Sequence, residues 1–226
     1  MESFDVPSSP GLTGAGGRQD QNCVVDIGIN LTNKAFRKNW KAVVRRAVDA
    51  GVHRILLTGT SIQSSRDSLR LAHEWYDEEG TPNLCVTVGV HPHDAKSWNN
   101  DETTATGGVG SGCASANNDT LQQMKELLKD PLAVAVGECG LDFNRNFSSK
   151  ADQLHAFREQ VRLARDLNYP IFVHEREAHN DLLRVLDDVR AATNDDSKQR
   201  PFPKIVIHCF TGTKEEAQAY IQIGRA

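Results

Sequence analysis

A chain of 226 residues can bury one substantial core, and a single α/β domain of this size is ordinary. Its 38% hydrophobic and 25% charged residues are those of a globular protein in water and exclude fibrous or disorder-dominated classes. The net charge of −4 excludes broad electrostatic coating of nucleic acid, while leaving room for a local phosphate-binding patch.

Residues 1–22 are rich in Ser, Gly and Pro and too poor in large apolar side chains to offset the entropy of ordering them, so a disordered arm is expected ahead of one domain over 23–226. The first expected strand is Cys23 to Ile29, with Asp26 and Asn30 interrupting its apolar pattern. Trp40, Val43, Val44, Ala47 and Val48 then fall at helical spacing within Phe36 to Ala50, and Gly51 is a natural stop. The pair repeats as a strand from His53 to Thr58 and a helix from Ile62 to Tyr76. A third strand, Leu84 to Val88, empties into Gly89-Val-His-Pro-His93. Residues 99–118 are small, polar and glycine-rich without a phosphate-loop fingerprint, and a flexible surface insertion is expected there. Asp119 with Gln122 suggests a capping box for a helix over Thr120 to Leu128.

Ala133 to Val136 is an apolar run wide enough for a buried strand, and it leads into Gly137-Glu138-Cys139-Gly140, where glycines permit a turn and leave a carboxylate at the strand's end. A carboxylate there is costly to bury unless paired, hydrogen-bonded or metal-bound. Ser149 with Asp152 is a second capping pattern, before a helix with its stripe at Leu154, Phe157, Val161, Ala164 and Leu167. The remaining order is strand Pro170 to Val173 closed by His174, helix Asn180 to Arg190, strand Lys204 to Ile207 closed by His208, and helix Lys214 to Ile223. Such alternation demands a parallel sheet with right-handed crossovers. Ionisable residues at the ends of several strands (Asp26, His91, Glu138, His174, His208) favour a barrel, which gathers them at one mouth, over an open sheet with one switch point.

Glu138, His174 and His208 form a set able to hold a divalent metal with open positions. The bland alternative is a structural carboxylate paired with Arg145 or Arg176, and strand-end histidines that merely hydrogen-bond. Arg145 and Arg176 could grip a phosphate, or pair with Glu175, Glu177 or Asp142. His91 and His93 could orient a substrate at the mouth. His174 and His179 lie five apart, which rules out a zinc-protease helix motif. The five cysteines are odd in number and lack CxxC spacing, pointing to reduced thiols in an intracellular protein; Cys139 and Cys209 read as small core residues. No apolar run reaches the length of a membrane span, and no targeting segment is evident, so a cytoplasmic location is expected, with the nucleus as the alternative.

Five ordered motifs, Asp26 to Thr32, Gly89 to His93, Gly137 to Arg145, Val173 to His179 and His208 to Gly212, closely resemble those of the TatD-type metal-dependent deoxyribonucleases. The resemblance implies a TIM-barrel (β/α)8-type hydrolase, of which about six of eight units are present. It also implies exonucleolytic hydrolysis of DNA and conceivably RNA, and a divalent metal, magnesium first and manganese or zinc second. Carried over by motif, Glu138, His174 and His208 are the metal ligands; His91, His93, Arg145 and Arg176 are expected, from their positions near the mouth alone, to bind substrate. Asp26 and Asn30 stand where many relatives have His-x-His, which argues against a complete second metal site. The family's later Thr-Asp-x-Pro motif is absent, so the chain reads as a fragment. Two alternatives stay open: hydrolysis of a non-nucleic-acid ester or amide, and an inactive truncated product. A monomer is expected.

Overall fold

A computed structural model describes residues 24–81, 83–99, 113–192 and 202–223, with the main chain alone described at 99 and 113–118. The expected arm and residues 100–112 of the expected insertion lie outside the described residues.

Six strands form one sheet: β1 (Val24–Ile29), β2 (Val52–Leu57), β3 (Leu84–Val88), β4 (Ala133–Asp142), β5 (Ile171–Arg176) and β6 (Ile205–Ile207). The helices between and after them are α1 (Trp40–Asp49), α2 (Ile62–Glu79), α3 (Cys113–Leu127), α4 (Lys150–Leu167), α5 (His179–Ala191) and α6 (Lys214–Ile223), with a 3₁₀ helix at Pro92–Asn99. Every neighbouring pair of strands is parallel, and the order in the sheet is the order in the chain. A doubly wound sheet would reverse direction at a switch point; strictly sequential neighbours produce a partial (β/α) barrel. Val24, Val25 and Ile27 of β1 and Val206 of β6 are exposed at its two edges.

Strand alternation separates two faces. Ile55, Leu57, Val86, Val88, Val136, Ile171 and Val173 pack in the main core with helix residues such as Trp75, Phe157, Val161 and Leu182. Leu56, Ala135 and Phe172 form a separate small cluster, with Cys85 against it, on the opposite face. By that parity Phe172, His174 and Arg176 share one face of β5, while Ile171, Val173 and Glu175 share the other.

Several expected boundaries move. The first helix begins at Trp40 rather than Phe36, because the preceding residues form turns closed by Asn33 and Phe36 carbonyls. The helix expected from Thr120 begins at Cys113, so Asp119 lies inside it; its carboxylate accepts from Gln123 instead of capping. The largest difference is at β4, which does not turn at Gly137 but continues to Asp142. Likewise β5 continues past Val173 to Arg176, so His174 lies within the strand.

The cap expected at Ser149 is present: its hydroxyl oxygen accepts from the Asp152 backbone N–H at 3.1 Å and donates to the Asp152 carboxylate at 2.7 Å. Ser149→Ala should therefore cost about 1 kcal/mol in chemical denaturation, the usual worth of a helix cap. An unchanged midpoint would show that the cap contributes nothing to global stability.

Candidate metal centre

Glu138 owes its position to a bulge. Val136 pairs with Ile171 and Gly137 with Phe172, but the next pair is Cys139 with Val173, leaving Glu138 as the extra residue of β4. Simple alternation would turn Glu138 toward the helices; a bulge re-aims one side chain while returning its neighbours to register. Cys139 and Leu141 thus join the main core, and Glu138 remains on the side of the histidines.

Three imidazoles converge on one oxygen of Glu138. His208 Nε2 lies 2.7 Å from Oε1, His174 Nδ1 lies 3.2 Å away, and His91 Nε2 lies 3.5 Å away. They come from the end of β6, the interior of β5 and the loop after β3. The ligand atoms of His91, Glu138 and His174 all lie within 4.8 Å of one another, close enough to share one metal ion. That group contains Glu138 and His174 of the expected set and His91 in addition, but not His208, which reaches the cluster only through its 2.7 Å contact with Glu138 Oε1.

The surroundings fix these rings. His208 stacks on Phe172, with centroids 4.7 Å apart and planes at 23°. Its Nδ1 would lie 3.4 Å from a β-carbon at Gly28, so the first strand approaches the site through a residue without a side chain. The His93 backbone N–H donates to His91 Nδ1 at 3.1 Å. That nitrogen is then an acceptor, which leaves the His91 proton on Nε2, facing Glu138. Burial pushes His91 below its ordinary pKa, outweighing the nearby Glu138 charge; to bind a metal through Nε2 the ring would have to give up the proton held there.

A second carboxylate, absent from the sequence-derived set, supports the first. Asp142, fully buried at the end of β4, accepts from His93 Nε2 at 2.8 Å and lies 3.3 Å from His174 Nε2. It also accepts from the backbone N–H groups of Asn144 and Arg145. Burial raises its pKa, but the His93 contact, the Arg145 backbone N–H and the neighbouring His174 bring it below its ordinary value. For Glu138, likewise, burial pushes the pKa up, and the contacts with His174, His208 and His91 take it far below its ordinary value. Two buried glutamines of α4 hold the backbone around the site. Gln153 accepts from the Asp142 N–H and donates to the Asp142 and Ser148 carbonyls; Gln160 clamps both the N–H and the carbonyl of Val90.

This donor set fits a divalent cation. One ionised carboxylate and three imidazoles meet with no Lys or Arg ion pair to Glu138 among the described residues, and the buried His208 Nδ1 has no hydrogen-bond partner. Neutral imidazole and carboxylate ligands accommodate zinc, manganese or iron, and carboxylates with added water accommodate magnesium.

The remaining expected residues are more dispersed. His93 packs edge-on against His91, with centroids 4.3 Å apart. Arg176 lines a cleft of about 910 Å³ together with His174, His208, Lys150 and Phe143; Arg145 is not in its lining. Neither arginine makes an ion pair with Glu175, Glu177 or Asp142 among the described residues. Asp26 lies mid-strand, exposed on β1, outside the cluster. Cys139 is core, its thiol pushed well above the ordinary pKa by burial, whereas Cys209 is exposed and lines the cleft rather than the core.

Comparison with known proteins agrees with the architecture. The family model for the TatD related DNases matches residues 25–225. The chain is 39% identical over 204 residues to a protein of Musicola paradisiaca named "3'-5' ssDNA/RNA exonuclease TatD", covering 88% of this chain and 63% of that one. It is also 39% identical over 199 residues to the protein of that name in Escherichia coli strain K12, covering 88% and 64%. It thus spans somewhat less than two thirds of the length of these curated relatives. Among solved structures, an uncharacterized amidohydrolase from Saccharomyces cerevisiae superposes with a TM-score of 0.73 at 24% identity, covering 90% of this chain and 66% of that one. A TatD family hydrolase from Entamoeba histolytica gives 0.68 at 25% identity, covering 89% and 63%. With a match running from the first strand to past the last helix, the chain belongs to the TatD related DNase family.

Proposed function

We propose that this chain is a metal-dependent nuclease that removes nucleotides from the 3′ end of single-stranded DNA, with RNA as a second substrate. The observation that carries this reading is the convergence of three imidazoles from separate elements on Glu138 Oε1, with no Lys or Arg ion pair to it among the described residues. The strand type and polarity follow the names of the curated relatives. Glu138, His174 and His208 would hold the ion, with His91 beside them, and magnesium is the ion proposed. A divalent cation in such a site lowers the pKa of bound water and stabilises charge on a phosphoryl oxygen.

The protein's own groups then divide the remaining work. Asp142 fixes His93 through Nε2, leaving Nδ1 as the nitrogen that can exchange a proton with substrate or leaving group. Arg176, in the cleft beside His174, offers a planar fork for a phosphate, and Lys150 adds a second positive charge in the same lining. Arg145, on the loop after β4, is proposed as a further phosphate contact. The protein is proposed to act as a monomer in the cytoplasm; among the described residues no helix is long and apolar enough to cross a membrane.

The test is digestion of single-stranded DNA labelled at its 5′ end. With magnesium, a ladder of products shortened from the 3′ end is expected, and EDTA should abolish it. An absence of products from folded protein would sink the reading. Turnover of carboxylic esters or amides without phosphodiester cleavage would move the site to a different substrate class.

A further inference from the structure

The loop after β4 contains two aromatic rings with opposite fates. Phe143 is covered by the Lys150 ammonium, 4.3 Å from its centroid. Phe147 is 60% exposed. Exposure of one apolar side chain would mean little in a floppy loop. This loop is pinned on both sides of the ring: Asp142 receives the Asn144 and Arg145 N–H groups, and buried Ser148 donates to the His93 carbonyl while accepting from the Lys96 N–H. The exposed edge of the ring assembly is also oriented. Phe147 meets His93 edge-to-face, with centroids 4.8 Å apart and planes at 81°, and His93 is itself fixed by Asp142 and packed against His91. An aromatic surface is therefore held rigidly one ring away from the metal centre.

We infer that Phe147 is the stacking platform for the base of the nucleotide whose phosphate lies at the Glu138 and histidine cluster. The inference rests on the proposed nuclease function. Stacking suits an enzyme that must accept successive nucleotides, since every base presents a π-face and aromatic stacking is tolerant of sequence. A ring already fixed before binding loses little conformational entropy on contact, which makes the available affinity larger than a mobile loop residue would supply.

The test measures binding of short single-stranded oligonucleotides to the full chain in EDTA, so that no turnover occurs, using fluorescence anisotropy. Each oligonucleotide carries either a base or an abasic sugar at its 3′ terminus. Phe147→Ala should weaken binding of the base-bearing strand by roughly 5- to 150-fold, the range for one stacked base. Binding of the abasic strand should be the same for wild type and variant. Phe147→Trp should restore the base-bearing affinity, and 2-aminopurine at the 3′ terminus should be quenched by wild type but not by Phe147→Ala. Equal affinity of wild type and Phe147→Ala for the base-bearing strand would overturn the stacking role. An equal loss on both strands would also overturn it, since the ring would then be acting without a base. If wild type bound neither strand and cleaved none, the nuclease reading would fall and this inference with it.

Discussion

Replacing Glu138 by alanine is expected to reduce metal-dependent hydrolysis on the order of 10³-fold, about 4 kcal/mol in the barrier. Three imidazoles share this one carboxylate oxygen. Its removal takes away the charge that draws a cation into the site, along with the atom that fixes the rings relative to one another. The fold should survive the change. Glu138 is only 7% exposed, and alanine removes both the burial penalty of its charge and the histidine contacts that outweigh that penalty, so the net loss of stability should be a modest one. A cooperative melt close to that of wild type is therefore expected, together with loss of manganese binding by calorimetry. Glu138→Gln separates charge from shape: it can keep hydrogen bonds to the histidines, yet should lose metal affinity almost as completely. Retention of hydrolysis within tenfold of wild type in both variants would show that the cation, if used, is held elsewhere.

Glu138, His174 and His208 could be singled out because each follows a short apolar run as a single ionisable residue, and parallel βα units bring the C-terminal halves of their strands together, although Glu138 and His174 prove to lie inside their strands rather than at the ends. His174 and His208 lie beside Glu138 for that reason. The contribution of Asp142 was hidden by the assumption that Gly137 ends the strand. In the structure the bulge lets β4 continue, so a residue apparently in a loop becomes a fully buried strand-end acid. Gln153 and Gln160 had a recoverable signal: two polar residues seven apart, bordering the apolar stripe of α4, on the side that faces the site loops. Asp26 misled because β1 is an edge strand, where a polar residue needs no partner to remain solvated. The capping pattern at Asp119 failed because the helix starts earlier than its glycine-rich approach suggested.

The glycine at 140 should be less replaceable than any ligand, and Gly140→Ala is expected to destabilise the protein by more than about 4 kcal/mol, a size reserved for severe backbone or core damage. Gly140 pairs directly with His174 across β4 and β5. A β-carbon there would sit 1.9 Å from the His174 carbonyl oxygen and 2.9 Å from its carbonyl carbon. The obstructing atoms are backbone, in a strand paired on both sides, and cannot swing aside as a side chain could. Relief therefore requires β4 and β5 to separate, which breaks ladder hydrogen bonds and displaces His174 together with the Glu138 bulge. Backbone dihedral strain adds to this, since Gly140 has φ of +140°. Gly51→Ala supplies the control: Gly51 has φ of +93°, but nothing lies within 4 Å of its would-be β-carbon. That substitution should cost only the conformational strain, about 1–2 kcal/mol. For a domain of this size the difference corresponds to a gap in melting temperature on the order of 10 °C, or to soluble Gly51→Ala against insoluble Gly140→Ala. Equal stability of the two variants would mean that strand spacing at the site is softer than the 1.9 Å approach demands, and that Gly140 serves the backbone angle alone.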